Sequence, residues 1–240
     1  MHELDLTLPQ PEENLALDEA LLDWAEQDSS RQILRFWESP TPFVVLGYGN
    51  RAGTETLPQT CQADHIPILR RCSGGGTVLQ GPGCLNYSLI LQFKTNPNLE
   101  TVSAANGFIM SRNRQALAPL LAPARVQIQG HTDLTLDGRK FSGNAQRRKR
   151  SALLFHGSIL LDAFDLKQIH RHLSMPSREP DYRRSRSHQD FLTTIPLTRA
   201  QIQAALRQAW HAATPLDSWP EPALRHLVLT RYANPEWVNR

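Results

Sequence analysis

Long apolar runs are missing from this 240-residue chain; no stretch of ~18 consecutive apolar residues offers a membrane-spanning helix. Cysteine is scarce. The three present, Cys61, Cys72 and Cys84, are odd in number and lack CxxC spacing, which argues against a disulfide framework or a zinc site and predicts free thiols. Net charge is nearly absent as well: +3, from 26 basic and 23 acidic side chains, is too small to point to nucleic acid. Two local clusters stand out, RRKR at 147–150 and RRSR at 183–186. Solvated loops are the plain reading of both, and docking of an acidic partner protein is the sharper one. The N-terminal run MHELDLTLPQPEEN lacks the charged-then-apolar order of a secretory signal, so a cytoplasmic location is expected, with neither membrane nor nucleic acid as partner.

What the chain does have is glycine in one demanding place. Residues 70–88 read RRCSGGGTVLQGPGCLNYS. Three consecutive glycines, Gly74, Gly75 and Gly76, permit positive φ and close approach of a ligand to the main chain, and can leave successive N–H groups converging on an anion. Arg70 and Arg71 beside the run could add charge-assisted bonds to a phosphate or carboxylate. The run is neither a P-loop nor GxGxxG. Taken alone, it fits equally well a turn between two strands with a solvated arginine pair. A second stretch, DGRKFSGNAQ at 137–146, places Lys140 beside a small-residue turn, Ser142 to Ala145.

Coarse periodicity fills in the rest. Pro11 to Gln27 reads as an amphipathic helix with Asn14 as a candidate cap, and 33–37 and 43–46 read as strands. A short helix is expected over 55–63 and a strand over 66–69. Strands at 77–79 and 85–93 are expected to form a hairpin-like pair. A helix over 104–121 follows, then short strands around 126–128, 134–136 and 141. Strand-like segments at 153–155 and 158–161 flank His156-Gly157. A helix is expected at 165–173, a long polar connection at 174–189, a helix from Thr198, and a docked tail carrying Tyr232 and Trp237. Strands interleaved with helices without a regular βαβ repeat predict an α+β class with a central mixed sheet, in one domain spanning 1–240.

These segments resemble the lipoate-protein ligase and octanoyltransferase family, which shares its fold with biotin-protein ligases. The resemblance rests on RRCSGGGTV at 70–78, LNYS at 85–88, DGRKFSGNAQ at 137–146 and HGSILLD at 156–162. Weaker echoes are NLALDEALL at 14–22 and VVLGYGN at 44–50, where Asn50 replaces a common glutamine. It implies a central mixed sheet flanked by helices plus a smaller sheet. It also implies ATP-dependent activation of lipoate or octanoate to an acyl adenylate, followed by transfer to a lysine of a lipoyl-carrier protein, a lipoyl domain or a glycine cleavage H-like protein. The short C-terminal region leaves no room for the extra domain of larger ligases, so a small accessory subunit enters as an expected partner.

By the same resemblance Lys140 contacts acyl carbonyl and phosphate. Arg71, Gly76, Thr77, Val78 and Leu79 line the adenylate site, Ser73, Gly74 and Gly75 shape the loop, and Gly143, Asn144 and Ala145 complete the lysine segment. His156 and Gly157 border the acyl chain, with His156 also readable as a structural hydrogen-bonder. Asp133 is the candidate to help hold Mg²⁺, carboxylate and phosphate oxygens being what that ion prefers, with Asp137 as the competitor that reads better as a turn residue. The rival mechanism is ATP-independent transfer through a cysteine thiolate, for which Cys84 is the candidate, with His131 or His156 as possible activators. A third reading is a non-catalytic relative that binds a carrier.

Overall fold

A computed structural model describes residues 1–240. Its strands are β1 (His2–Asp5), β2 (Ile33–Trp37), β3 (Phe43–Leu46), β4 (Ile68–Arg70), β5 (Val78–Gln80), β6 (Cys84–Gln92), β7 (Val126–Gln129), β8 (Asp133–Leu136), β9 (Arg139–Arg148), β10 (Ala152–Leu160) and β11 (Thr214–Pro215). Eight of them form one mixed sheet in the order β11-β1-β2-β6-β10-β9-β8-β7, and β4-β3-β5 form a smaller one. The expected α+β class is what the chain adopts.

Strand β6 shows why the large sheet sits where it does. Leu85, Tyr87, Leu89 and Leu91 point to one face and join a core with the helices Val102–Leu117 and Arg199–Trp210. Ile90 points to the other and packs with Leu17, Leu21 and Val45, from the first helix (Pro11–Gln27) and the small sheet. Both faces are covered, so all nine residues are buried. On the second face Asn86 and Ser88 interrupt the apolar pattern, and the site lies over that interruption.

Several local expectations are corrected. β5 and β6 are not a hairpin: β5 pairs with β3 in the small sheet, and the chain crosses between sheets at Gly81–Gly83. Gly83 lies at φ +80°, where a Cβ would come within 2.4 Å of the Phe164 nitrogen. The SGNA segment is not a turn but the middle of β9; the turn is Asp137-Gly138, both at positive φ, joining β8 to β9 as a two-residue hairpin loop. His156-Gly157 sits inside one continuous strand rather than between two. The helix expected over 55–63 is two short helices, Ala52–Glu55 and Pro58–Ala63, separated where Thr56 pairs with Leu173. The first helix starts at Pro11, so Asn14 lies one turn inside it and hydrogen-bonds Leu8 and Gln10.

Candidate active site

Arg70 and Arg71 do not offer free guanidinium groups to an anion. Arg71 is buried beneath the glycine loop; its Nη2 donates to the carbonyls of Gly74 (2.6 Å) and Gly76 (2.8 Å), and its Nε to Ser73 Oγ (3.1 Å). Burial pushes its pKa down to about 10. Arg70 donates to the carbonyls of Gly47, Tyr48 and Asn50 on one side and to those of Trp237 and Val238 on the other. With the loop carbonyls turned toward Arg71, the N–H groups of Gly75, Gly76 and Thr77 have no acceptor within the protein. Main-chain N–H groups without protein acceptors are the donors an anion-binding nest would use. The second glycine turn is clipped to the first: Tyr48 N donates to Ser73 O (2.8 Å), and Asn50 Nδ2 to Thr77 Oγ1 (3.0 Å). A Cβ on Gly47 would overlap Gly75 O at 2.0 Å.

Lys140 is brought to the cavity it shares with this loop by a bulge. Leu134 faces Ser142 across the β8–β9 pair while Thr135 faces Lys140, so Phe141 is an extra residue on β9. Strict alternation would put Lys140 on the face opposite Gly143; the bulge brings it to the same face. Its ammonium lies over Gly143, 2.6 Å from where a Cβ would be, and pairs with Asp133 Oδ1 at 2.8 Å. Tyr182 OH donates to the other Asp133 oxygen at 2.7 Å. Both carboxylate oxygens are thus engaged, and no group of three His, Cys, Asp or Glu side chains could hold a metal ion. Mg²⁺ at Asp133 would share the carboxylate with Lys140 and Tyr182 and take its other oxygens from substrate phosphates and water, the donors that ion prefers.

His156 and Asn144 have structural partners of their own. His156 stands between Asp18 (Nδ1 to Oδ2, 3.0 Å) and Ser73 (Nε2 to Oγ, 2.6 Å), tying the loop to the first helix. Burial would raise the Asp18 carboxyl, but Arg35 at 2.6 Å, His156 and Ser88 outweigh it and hold it below the usual carboxylate range. The space left by Gly157 is filled by the Asn144 side chain, whose Oδ1 would lie 1.7 Å from a Cβ there. Asn144 accepts from Tyr87 OH (2.5 Å) and donates to Thr132 O (2.7 Å), and Tyr87 is held by Asn113 (2.8 Å), itself held by Trp210 (2.8 Å).

One cavity of about 290 Å³ gathers these parts. It is bordered by Arg71, Gly75, Gly76, Thr77, Val78 and Leu79 from the loop and by Lys140, Gly143, Asn144 and Ala145 from β9. Asp133, His131, His156 and Gly157 also border it. Ser73, Gly74 and Cys84 do not border it. Across the sheet, Asp133, Gly143, Ser158, Asn86 and Trp37 stand opposite one another on β8, β9, β10, β6 and β2. Three strand spacings separate Gly143 from Trp37, about 14 Å. The ammonium lies at one end of this row and Trp37 borders the other.

Sequence reasoning missed Asp18, Tyr87 and the cover. Asp18 sits in a leucine-rich helix and Tyr87 in an apolar strand, with no local signal beyond a polar residue where an apolar one is expected. The polar connection at 174–189 folds over the cavity, contributing Arg178, Pro180, Arg183 and His188. Its length was the available clue.

All three cysteines are buried and none borders the cavity. Burial pushes Cys84 up to about 12, partly offset by a hydrogen bond with Ser158, and burial with the nearby Glu19 charge pushes Cys72 up to about 12. Burial also raises Cys61. His156 is engaged with Asp18 and Ser73 rather than with Cys84.

Residues 10–206 match the family model of the lipoyl protein ligase A/B catalytic domain, and the chain belongs to that family. Among curated relatives, an octanoyltransferase LipM of Exiguobacterium sp. is 29% identical over 176 residues, 65% of this chain and 63% of that protein. A putative lipoate-protein ligase A of Schizosaccharomyces pombe is 32% identical over 164 residues, 68% of this chain and 42% of that protein. The chain thus spans less than two thirds of either relative. Among solved structures, a bi-partite lipoate protein ligase of Thermoplasma acidophilum, studied with its E2 lipoyl domain, superposes with TM-score 0.82 at 21% identity, covering 98% of this chain and 94% of that one. That likeness establishes the shared fold.

Proposed function

We propose that this protein is a lipoate-protein ligase, forming an acyl adenylate from lipoate or octanoate and ATP and passing the acyl group to a lysine of a lipoyl-carrier protein. The observation that carries this reading is Lys140: its ammonium lies at the junction of a loop with unpaired N–H groups and a row long enough for an eight-carbon acid. In the first step a carboxylate oxygen attacks the α-phosphorus and pyrophosphate leaves. Lys140 stabilises the growing charge on the carbonyl and bridging oxygens, and the loop N–H groups take the phosphate oxygens without reorganising. In the second step the carrier amine attacks the acyl carbon, an amide forms, and AMP and one proton leave. Holding the reactants in one cavity supplies the entropic part of the rate.

Thiol-mediated transfer is the second reading, favoured by similarity to the LipM protein. It requires an accessible thiolate. The burial and raised pKa values of Cys61, Cys72 and Cys84 weigh against it, and the same three positions leave the ligase reading untouched. Retention of Lys140 facing the loop weighs against a non-catalytic carrier-binding role. The test is to weigh an unmodified lipoyl domain after incubation with protein, Mg²⁺-ATP and lipoate. The expected result is an ATP-dependent gain of one lipoyl group, lost by at least ~100-fold in Lys140→Ala. Gain from an octanoyl-carrier without ATP, abolished by Cys84→Ser, would replace this reading with the transferase.

A further inference from the structure

Outside the cavity, one surface gathers charge and aromatic rings that the reaction does not use. The chain's last turn, Pro235–Val238, is drawn onto the outer glycine turn by Arg70, whose buried guanidinium donates to Gly47, Tyr48 and Asn50 carbonyls and to those of Trp237 and Val238. Trp237 Nε1 returns a bond to Arg70 O at 3.0 Å. The result is an edge-on pair of rings, Tyr48 and Trp237, 5.7 Å apart. Arg147 and Arg240 both lie over the Tyr48 ring, at 5.7 and 4.2 Å, and Arg240 also approaches Trp237 at 5.2 Å. A third arginine, Arg231, lies over Trp237 but is paired with Glu19. Arg147 and Arg240 are exposed and pair with no Asp or Glu side chain.

From this cluster we infer a docking surface for a carrier domain that presents carboxylates around its acceptor lysine, an inference that rests on the ligase reading. Three observations select that occupant. The two exposed guanidinium groups, neither paired with an Asp or Glu side chain, call for carboxylates. Aromatic rings stacked with arginine, held rigid by main-chain bonds, are what the centres of protein interfaces are made of. The surface is also continuous with the rim of the cavity: the Tyr48 turn is bonded to Ser73 and Thr77, and Arg147 lies two residues beyond Ala145 on β9. An acceptor lysine entering the cavity must bring its own domain against that rim. The basic run at 147–150 thereby divides: Arg147 faces the rim, Lys149 pairs with Asp23, and Arg148 turns to Phe93 and the Leu99 carbonyl.

The experiment separates this surface from the chemistry. Arg147→Glu, Arg240→Glu and the milder Arg147→Gln and Arg240→Gln are assayed for lipoate-dependent ATP–pyrophosphate exchange. They are also assayed for the KM of an unlipoylated E2 lipoyl domain, and for direct binding of that domain without nucleotide. Exchange should match wild type, while the carrier KM and dissociation constant rise about tenfold in the charge-reversed variants, with a weaker dependence on salt. Unchanged carrier binding and salt dependence in all four variants would overturn the proposal. Absence of exchange in the wild-type protein would instead count against the ligase reading, with the nucleotide-free titration still deciding the surface.

Discussion

Gly143 matters for what it leaves empty. The Lys140 ammonium occupies the volume a Cβ would fill, so Gly143→Ala must push the ammonium off its position over the row. The backbone there is not at positive φ, and Ala fits the strand itself. The expected outcome is a fall of ~100-fold in adenylate formation with a melting temperature within a few degrees of wild type, read by pyrophosphate exchange and calorimetry. The cysteines give a second prediction at this scale. With Cys72 and Cys84 pushed up to about 12 and Cys61 buried, the native protein should resist iodoacetamide at pH 8, and three thiols should react after unfolding. One fast-reacting native thiol, mapped to Cys84 by mass spectrometry, would reopen the transferase. Glycines and Lys140 were legible in the sequence because each makes a backbone or charge demand that few other residues meet. Asp18, Tyr87 and Asn113 were not, since their roles exist only through partners 17 to 138 positions away, as with Arg35 and His156 for Asp18.

At the scale of elements, two features decide whether the site assembles. One is the Phe141 bulge, which no periodicity reveals because it matters only against the register of β8. Sequence reading placed a turn at SGNA for a related reason: small residues there signal close approach, and the approach is of side chains over a strand. The other feature is the joint between the first helix and β2. Arg35 is fully buried and its charge is met by Asp18. Asp18→Asn would leave that guanidinium without a counter-charge, at a cost of about 3–5 kcal/mol measured by denaturant unfolding. The sign with pH follows from the lowered Asp18 pKa. Its contribution is fully present above the unfolded carboxyl value of about 4, and is lost as pH falls through the lower folded-state value. Wild-type stability should therefore decline with acid below pH ~4 more steeply than that of the variant.

Across the whole molecule, the site is closed by chain that lies late in the sequence. The class and the mixed sheet could be read from the alternation of strand and helix patterns, but which strand joins which sheet could not. β5 and β6 are neighbours in sequence and belong to different sheets, a choice made by what each buries. The 174–189 connection was legible only as long and polar; its place over the cavity depends on Tyr182 meeting Asp133, Arg186 meeting the Gly138 carbonyl, and Arg139 meeting the Gln189 carbonyl. Removing the first of these in Tyr182→Phe should speed tryptic cleavage within residues 178–186 several-fold while leaving the melting temperature near that of wild type. Equal cleavage rates would mean that the two arginine contacts suffice to hold the cover down.

Trp37 ends the row that starts at Lys140, and of the five tryptophans in the chain it alone borders the cavity. Its indole N–H has no bonding partner in the protein. An aliphatic chain bound along the row, as the ligase reading requires, would change the polarity around that one chromophore and leave the other four where they were. On the ligase reading the molecule would thus carry its own optical gauge of fatty-acid occupancy, readable in emission colour before any nucleotide is added.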